Sequence, residues 1–351
     1  MHCTGGFRAA EVIDGKWQVE PILVGGTPSA KGFISRKELQ VLLERAQLMP
    51  IAFERIGWTN GLYHSSWVPI VPNKENHFRG PSDLWGSIST NLSKTRTDDA
   101  LNRLSNPSID EVGAILDART REEALAQSIS LSLRSMDISV SRIAEFYNEQ
   151  AVNLSASGQL DGQRSSTSLD QTLYTHVHSF FLQLGAARDY LGAYIALKIG
   201  LDSEKVDDMA RLTAKLRTES FGQEAVLDLL LEKGYLIPKL ESLNKSDVAG
   251  WLKDVSALRK EFVHKRPYGS KFAEALGFLV PISTEAGLFR YFRPISLPDG
   301  SESDVLDVIV QHYRACNELF QNAADRSEQD TAILTLTGGD VISIEVKVNQ
   351  Q

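Results

Sequence analysis

"LYTHVHSFFLQLGAARDYLGAY", Leu173 to Tyr194, decides the fold class of this 351-residue chain. Leu173, Val177, Phe180, Leu184, Ala187, Leu191 and Tyr194 recur at alternating steps of four and three. At about 100° per residue these positions form one stripe along a helix, and so long a stripe must be buried against other helices. The segment before it repeats the pattern: Ile129, Leu133, Met136, Val140, Ile143 and Tyr147 share a face. Its "ISLSL" also alternates with period two, but the helical period fits the longer stretch better.

Shorter helices follow. Asp202 or Ser203 caps one with Val206, Met209, Leu212 and Leu216 inward. "EAVLDLLLEKG" ends at Gly234, a glycine just past a helix end. Ser246 caps another, whose core arc is Trp251, Val255, Leu258 and Phe262. Ser301 or Ser303 opens a last long helix through Val305, Val308, Ile309, Tyr313 and Leu319.

The two ends of the chain read differently. Near the start, Asp14-Gly15 and Asn60-Gly61 mark tight hairpins. Ser35 and Glu38 stand in capping-box spacing before a short helix through Leu39, Leu42 and Leu43. From Pro72 to Pro107 the chain is polar and loop-like, with "LWGSIST" as a brief apolar island, which places a boundary near 108. At the far end "TAILTLTGGDVISIEVKV" falls to period two around Gly338-Gly339, a β-hairpin signal. The expected fold is mainly α: a mixed α/β region over 1–108, a helical bundle over 109–328 and a β-hairpin over 329–351.

Composition narrows the function classes. Lys plus Arg number 37 against 45 Asp plus Glu, a net charge of −8, so the whole chain is not a basic nucleic-acid binder. No apolar run is long enough to span a membrane, and the start lacks the basic and apolar regions of a secretory signal. Two distant cysteines, Cys3 and Cys316, give neither a disulfide framework nor metal-ligand spacing, so a cytoplasmic, reducing setting is expected. His176 and His178, two apart on a helix, point about 200° from one another and do not suit a metal. "VGGTPSAKG", Val24 to Gly32, lacks the Gly-Lys-Ser/Thr ending of a phosphate loop and reads as a turn. Trp58, Trp67 and Trp85 read as core or interface anchors.

The chemistry gathers in "ALRKEFVHKRPYG", Ala257 to Gly269. Pro267 biases Arg266 out of the helical region, so the helix ends near His264 to Lys265. Arg259 flanks the core arc and His264 lies nearly opposite it, the two about 140° apart around an ideal axis. One copy therefore presents a loose pair, whereas two antiparallel copies would set two arginines and two histidines around one cleft. Histidine can move protons near neutral pH, and arginine can brace a phosphate with its planar fork. Between Gly250 and Arg293 eight Lys/Arg face four Asp/Glu, a local charge of +4.

A helical bundle carrying Arg259-Lys-Glu-Phe-Val-His264 on a late core helix resembles the HEPN superfamily, whose mark is Arg followed four to six residues later by His. The segment Phe180 to Gly200 resembles the long preceding helix, with Arg188-Asp189 facing inward or toward the site. The resemblance spans roughly Ile109 to Asp325. It departs from the pattern at Lys260, where the family often has Asn, Asp or His, and at Arg266, where one toxin branch has tyrosine. The resemblance implies a metal-independent endoribonuclease without cofactor, with Arg259 and His264 catalytic. Lys260, Lys265, Arg266 and Lys271 would hold RNA through its phosphates. It further implies a homodimer, a role as toxin or anti-phage effector, and a regulatory protein partner. The alternative is a non-catalytic helical module that binds RNA, nucleotide or a protein partner.

Overall fold

The computed structural model describes residues 1–12, 15–24, 27–29, 32–59, 62–72, 79–160, 162–237, 248–283 and 288–334. Helix dominates these residues, with a sheet at the N-terminal end and small strand pairs late in the chain. None of the described helices is long and apolar enough to cross a membrane.

The sheet is antiparallel and six-stranded, in the order β6-β3-β2-β1-β7-β8. Its strands are β1 (His2–Cys3), β2 (Arg8–Glu11), β3 (Lys16–Glu20), β6 (Gly32–Ser35), β7 (Pro50–Thr59) and β8 (Leu62–Pro69). The short pair β4 (Ile22–Val24) and β5 (Thr27–Ser29) stands beside it. Both expected hairpins form: Glu11 pairs with Trp17 in β2–β3, and Thr59 with Leu62 in β7–β8. The capping box also forms. Ser35 Oγ accepts from the Glu38 amide at 3.3 Å and the Glu38 carboxylate accepts from the Ser35 amide at 2.7 Å, opening α1 (Arg36–Arg45).

Two helices make the spine, α4 (Arg121–Ala156) and α5 (Asp170–Lys198). Every member of both sequence stripes is buried, from Ile129 to Tyr147 and from Leu173 to Tyr194. Around them stand α2 (Pro81–Leu101), α3 (Ile109–Asp117), α6 (Met209–Thr218), α7 (Ala225–Glu232), α8 (Gly250–Arg259) and α9 (Val305–Arg326). Gly234, at φ 67°, takes the left-handed position past α7.

Several expectations are corrected. Pro72–Pro107 is not a loop region, because Pro81 to Leu101 form α2. Leu84, Ile88 and Leu92 recur at steps of four with Trp85 beside them, and the polar turns that follow hid this short period. Residue 108 does not separate the cores, although Cys3, Phe7, Val19, Leu39 and Leu48 form a second, smaller cluster with Leu288. Ile51, Trp85, Val140, Leu191 and Phe320 belong to one continuous apolar cluster. Trp67 Nε1 donates to Tyr313 Oη at 3.0 Å and Trp85 Nε1 to the Phe320 carbonyl at 3.0 Å, tying early tryptophans to the last helix. Gly6, at φ 85°, lies so close to α4 that a Cβ there would stand 2.5 Å from the Tyr147 carbonyl.

The helical region is also interrupted. Between α8 and α9 come two antiparallel pairs: β9 (Phe278–Ser283) with β10 (Leu288–Phe292), and β11 (Pro294–Ser296) with β12 (Glu302–Asp304). Ser301 and Ser303 therefore do not cap α9. Asp304 does, accepting from the Leu306 and Asp307 amides at 3.0 and 3.1 Å. Likewise Asp208, not Asp202 or Ser203, caps α6, accepting from the Arg211 amide at 2.7 Å. Ala249 precedes α8, and Ser246 lies outside the described residues. Of the proposed hairpin over 329–351, residues 335–351 lie outside the described ones, and 329–334 form no strand.

Candidate active site

Helix α8 packs across α5 with Leu252, Val255, Leu258 and Phe262 buried, while Trp251 is only half-buried against Tyr235. Val255, Leu258 and Phe262 are buried as expected, and Leu252 takes the place expected for Trp251. Phe262 stacks on Phe181, ring centroids 4.9 Å apart and planes within 18°.

Gly185 gives Arg259 its path. A Cβ at Gly185 would stand 2.4 Å from Arg259 Cδ and 2.7 Å from its Nε, so the arginine stem lies flat on bare α5 backbone. Glycine inside a helix costs roughly 0.5–1 kcal/mol relative to alanine, and here the close approach requires it. Arg259 Nη1 then donates to Asp189 Oδ2. Arg188 grips the other carboxylate oxygen, with Nε at 3.1 Å and Nη2 at 2.7 Å from Asp189 Oδ1. Its Nη1 donates to Ser256 Oγ, whose own hydroxyl donates to the Leu252 carbonyl at 2.8 Å. Arg188 lines the site, and Asp189 lies behind it as the carboxylate that Arg188 and Arg259 share. Arg259 Nε is buried and has no partner among the described residues.

The decisive local feature is where the α-helix ends. Lys260 to Lys265 form a π turn, closed by the Arg266 amide donating to the Glu261 carbonyl at 2.8 Å. Arg266 then leaves the helix with φ −153° and ψ 109°, as Pro267 demands. A π turn holds roughly 4.4 residues, about 80° each. Five ideal steps of that size total about 400° and set His264 about 40° past Arg259, rather than the 140° of an ideal α-helix. Arg259 and His264 consequently line the same cleft of about 270 Å³, with Arg188, Ser256 and Lys260 on its walls. His264 is exposed and makes no hydrogen bond among the described residues.

The cationic patch is smaller than its sequence count. Of the eight Lys/Arg between 250 and 293, four are engaged internally. Arg259 holds Asp189, Arg290 holds Asp307, and Arg293 holds Asp170. Arg266 donates to both oxygens of fully buried Glu274, at 2.8 and 2.9 Å, and to the Ser296 carbonyl at 3.2 Å. Arg266 is therefore a clamp for the turn after the site, not a free phosphate ligand. Lys265 leans on Glu261 at 3.3 Å. Lys260 and Lys271 are exposed, and their ammonium groups have no carboxylate partner among the described residues. Beside Lys271 stands Phe272, 81% exposed, an aromatic face that no motif or period in the sequence singles out.

His176 and His178 lie on α5, and no group of three or more His, Cys, Asp or Glu residues suited to a metal occurs among the described residues. Comparison with protein-family models, curated proteins and solved structures returns no match to this chain. The functional reading therefore rests on the geometry of the cleft.

Proposed function

We propose that the Arg259–His264 cleft is the active site of a metal-independent endoribonuclease of HEPN type, with α4, α5, α8 and α9 as its helical core. The observation that supports this reading is the π turn, which brings the motif arginine and histidine into one cleft within a single copy. In the proposed reaction His264 takes the proton of a ribose 2′-hydroxyl. The 2′-oxygen bonds to the adjacent phosphorus as the bond from phosphorus to the 5′-oxygen breaks, and that oxygen takes a proton from water. A 2′,3′-cyclic phosphate and a 5′-hydroxyl result. Arg259, steadied by Asp189, and Arg188 stabilise the charge on the phosphoryl oxygens. Lys260 and Lys271 attract the strand through its phosphates. Homodimerisation is a separate proposal, since the pair meets without a second copy. Light scattering at micromolar concentration decides it.

One observation favours a second reading, a module that binds RNA without cutting it. Among the described residues His264 has no partner to orient its ring, and Arg259 is already neutralised by Asp189. A cleavage assay on single-stranded RNA in EDTA separates the two. Cyclic-phosphate products that vanish in His264→Ala support the enzyme. Binding without cleavage supports the module, and a requirement for added Mg²⁺ or Mn²⁺ rejects the proposed chemistry.

A further inference from the structure

A second, larger cleft of about 980 Å³ lies between α2, the first turn of α4 and the C-terminal end of α5. It is distinct from the Arg259 site: Lys198 on its rim and Arg188 in the other cleft are ten residues apart on α5, roughly 15 Å along the axis.

Its charges are not all paired off. Arg96 Nε donates to Glu123 Oε1 at 2.8 Å, and Lys198 Nζ to Glu122 Oε1 at 3.2 Å. Tyr194 and Gln329 also donate to that Glu122 oxygen, each at 3.3 Å. Two arginines keep spare donors. Arg121 turns Nε and Nη2 to Ser203, at 3.3 and 3.0 Å, and leaves Nη1 open. Arg103 is exposed and has no partner among the described residues. Both line this cleft at the start of a 36-residue helix. There Thr120 satisfies the Glu123 amide at 3.2 Å, leaving the Arg121 and Glu122 amides without partners inside the helix.

A second, independent observation lies on the wall of the cleft. Glu123 lines the cleft and is 2% exposed, and its Oε2 receives no hydrogen bond among the described residues. A buried carboxylate oxygen without a donor is a vacancy for an O–H or N–H. Ile88, Leu92 and Leu197 add an apolar wall.

We infer that this cleft binds an organic phosphate monoester: its phosphate between Arg103, Arg121 and the first amides of α4, its body against Ile88, Leu92 and Leu197, and a hydroxyl or amino group at Glu123. Nucleoside monophosphates and sugar phosphates share this chemistry, and the apolar wall favours the flat ring of a nucleoside. Asp99 and Asp330 in the same lining oppose the phosphate. The inference is independent of the ribonuclease reading and survives its failure.

Titration calorimetry of the full chain with AMP, GMP, glucose 6-phosphate and inorganic phosphate tests it. At least one ester should bind saturably, tighter than about 1 mM, and inorganic phosphate at least about tenfold more weakly. Arg103→Ala, at an exposed residue that leaves folding intact, should weaken the bound ester about tenfold, and Arg121→Ala at least as much. Asp99→Asn should strengthen it a few-fold. No ester binding at several millimolar overturns the inference. So does equal binding of inorganic phosphate, or ester binding that ignores both arginine variants.

Discussion

Arg293 and Arg259 both reach across to carboxylates of α5, and the contrast between them separates structure from chemistry. Arg293 is wholly buried, and acceptors take up its whole fork. Asp170, Tyr174 and the Ala275 carbonyl each lie at 2.9 Å, the Glu274 carbonyl at 3.0 Å and Tyr291 at 3.2 Å. It binds the start of α5 to the strand pairs and has nothing left for a ligand. Arg259 is partly exposed, has one carboxylate partner and an unmatched Nε, and borders an open cleft. A satisfied arginine fixes a fold; a partly satisfied one beside a cleft is available for an anion.

The strongest test of that contrast is to remove the buried member. Arg293→Met leaves Asp170 without its cation and should cost about 3–5 kcal/mol, read as a shift in the urea midpoint. A variant as stable as the wild type would mean that the cage is not structural. His264→Ala should instead leave that midpoint where it is, because the ring is exposed, and lower RNA cleavage by about 10²–10⁴-fold. Equal loss of folding in the two variants would erase the distinction.

Acids sharpen the comparison in the same way. Asp170 has an arginine, whereas buried Asp137 has only hydroxyl hydrogen bonds, from Tyr313 and from Ser82 at 3.0 Å. Burial pushes the Asp137 carboxyl up from 3.8 to about 7, against the pull of those hydroxyls. The folded chain then keeps a proton that the unfolded chain has lost. Its contribution to stability therefore falls as pH rises from about 4 to about 7, by roughly 1 kcal/mol per pH unit at the steepest. Asp137→Asn should flatten that part of the profile in urea titrations at pH 5 and pH 7.5. An unchanged slope would reject the assignment.

Three smaller effects follow, two in the cleft and one beside it. Gly185→Ala adds a Cβ where Arg259 lies and should lower cleavage about tenfold with little change in stability, since better helix propensity offsets the crowding. Full activity would show that Arg259 needs no such path. Lys260→Ala should weaken RNA binding a few-fold and reduce the slope of log affinity against log salt by about 1, with the products unchanged. Arg266→Ala should lower stability rather than salt dependence, because its partner is buried Glu274.

How much of this was legible beforehand varied with the kind of signal. The stripes of α4 and α5 were readable because each apolar position recurs over many turns and every one of them is buried. Helix α2 was missed, because its period, Leu84, Ile88 and Leu92, covers only two turns before a long polar stretch. The end of the site helix was readable from Pro267, but the π turn before it was not, since a helical wheel assumes a constant step.

The sequence by itself determined the helical class, the early hairpins, the α1 cap and the pairing of an arginine with a histidine near a proline stop. These depend on neighbours within a few residues, and local sterics and hydrogen bonding suffice to set them. Only the tertiary structure decided that Ile51, Trp85 and Ile88 share a core with the later helices while residues 3–48 build a second one, and that Arg266 and Arg293 serve the interior rather than the surface. It alone placed Arg259 across Gly185 beside Asp189, with His264 turned onto the same side. Those outcomes depend on which distant carboxylate or bare backbone stands opposite each side chain, and packing between helices far apart in the chain sets that.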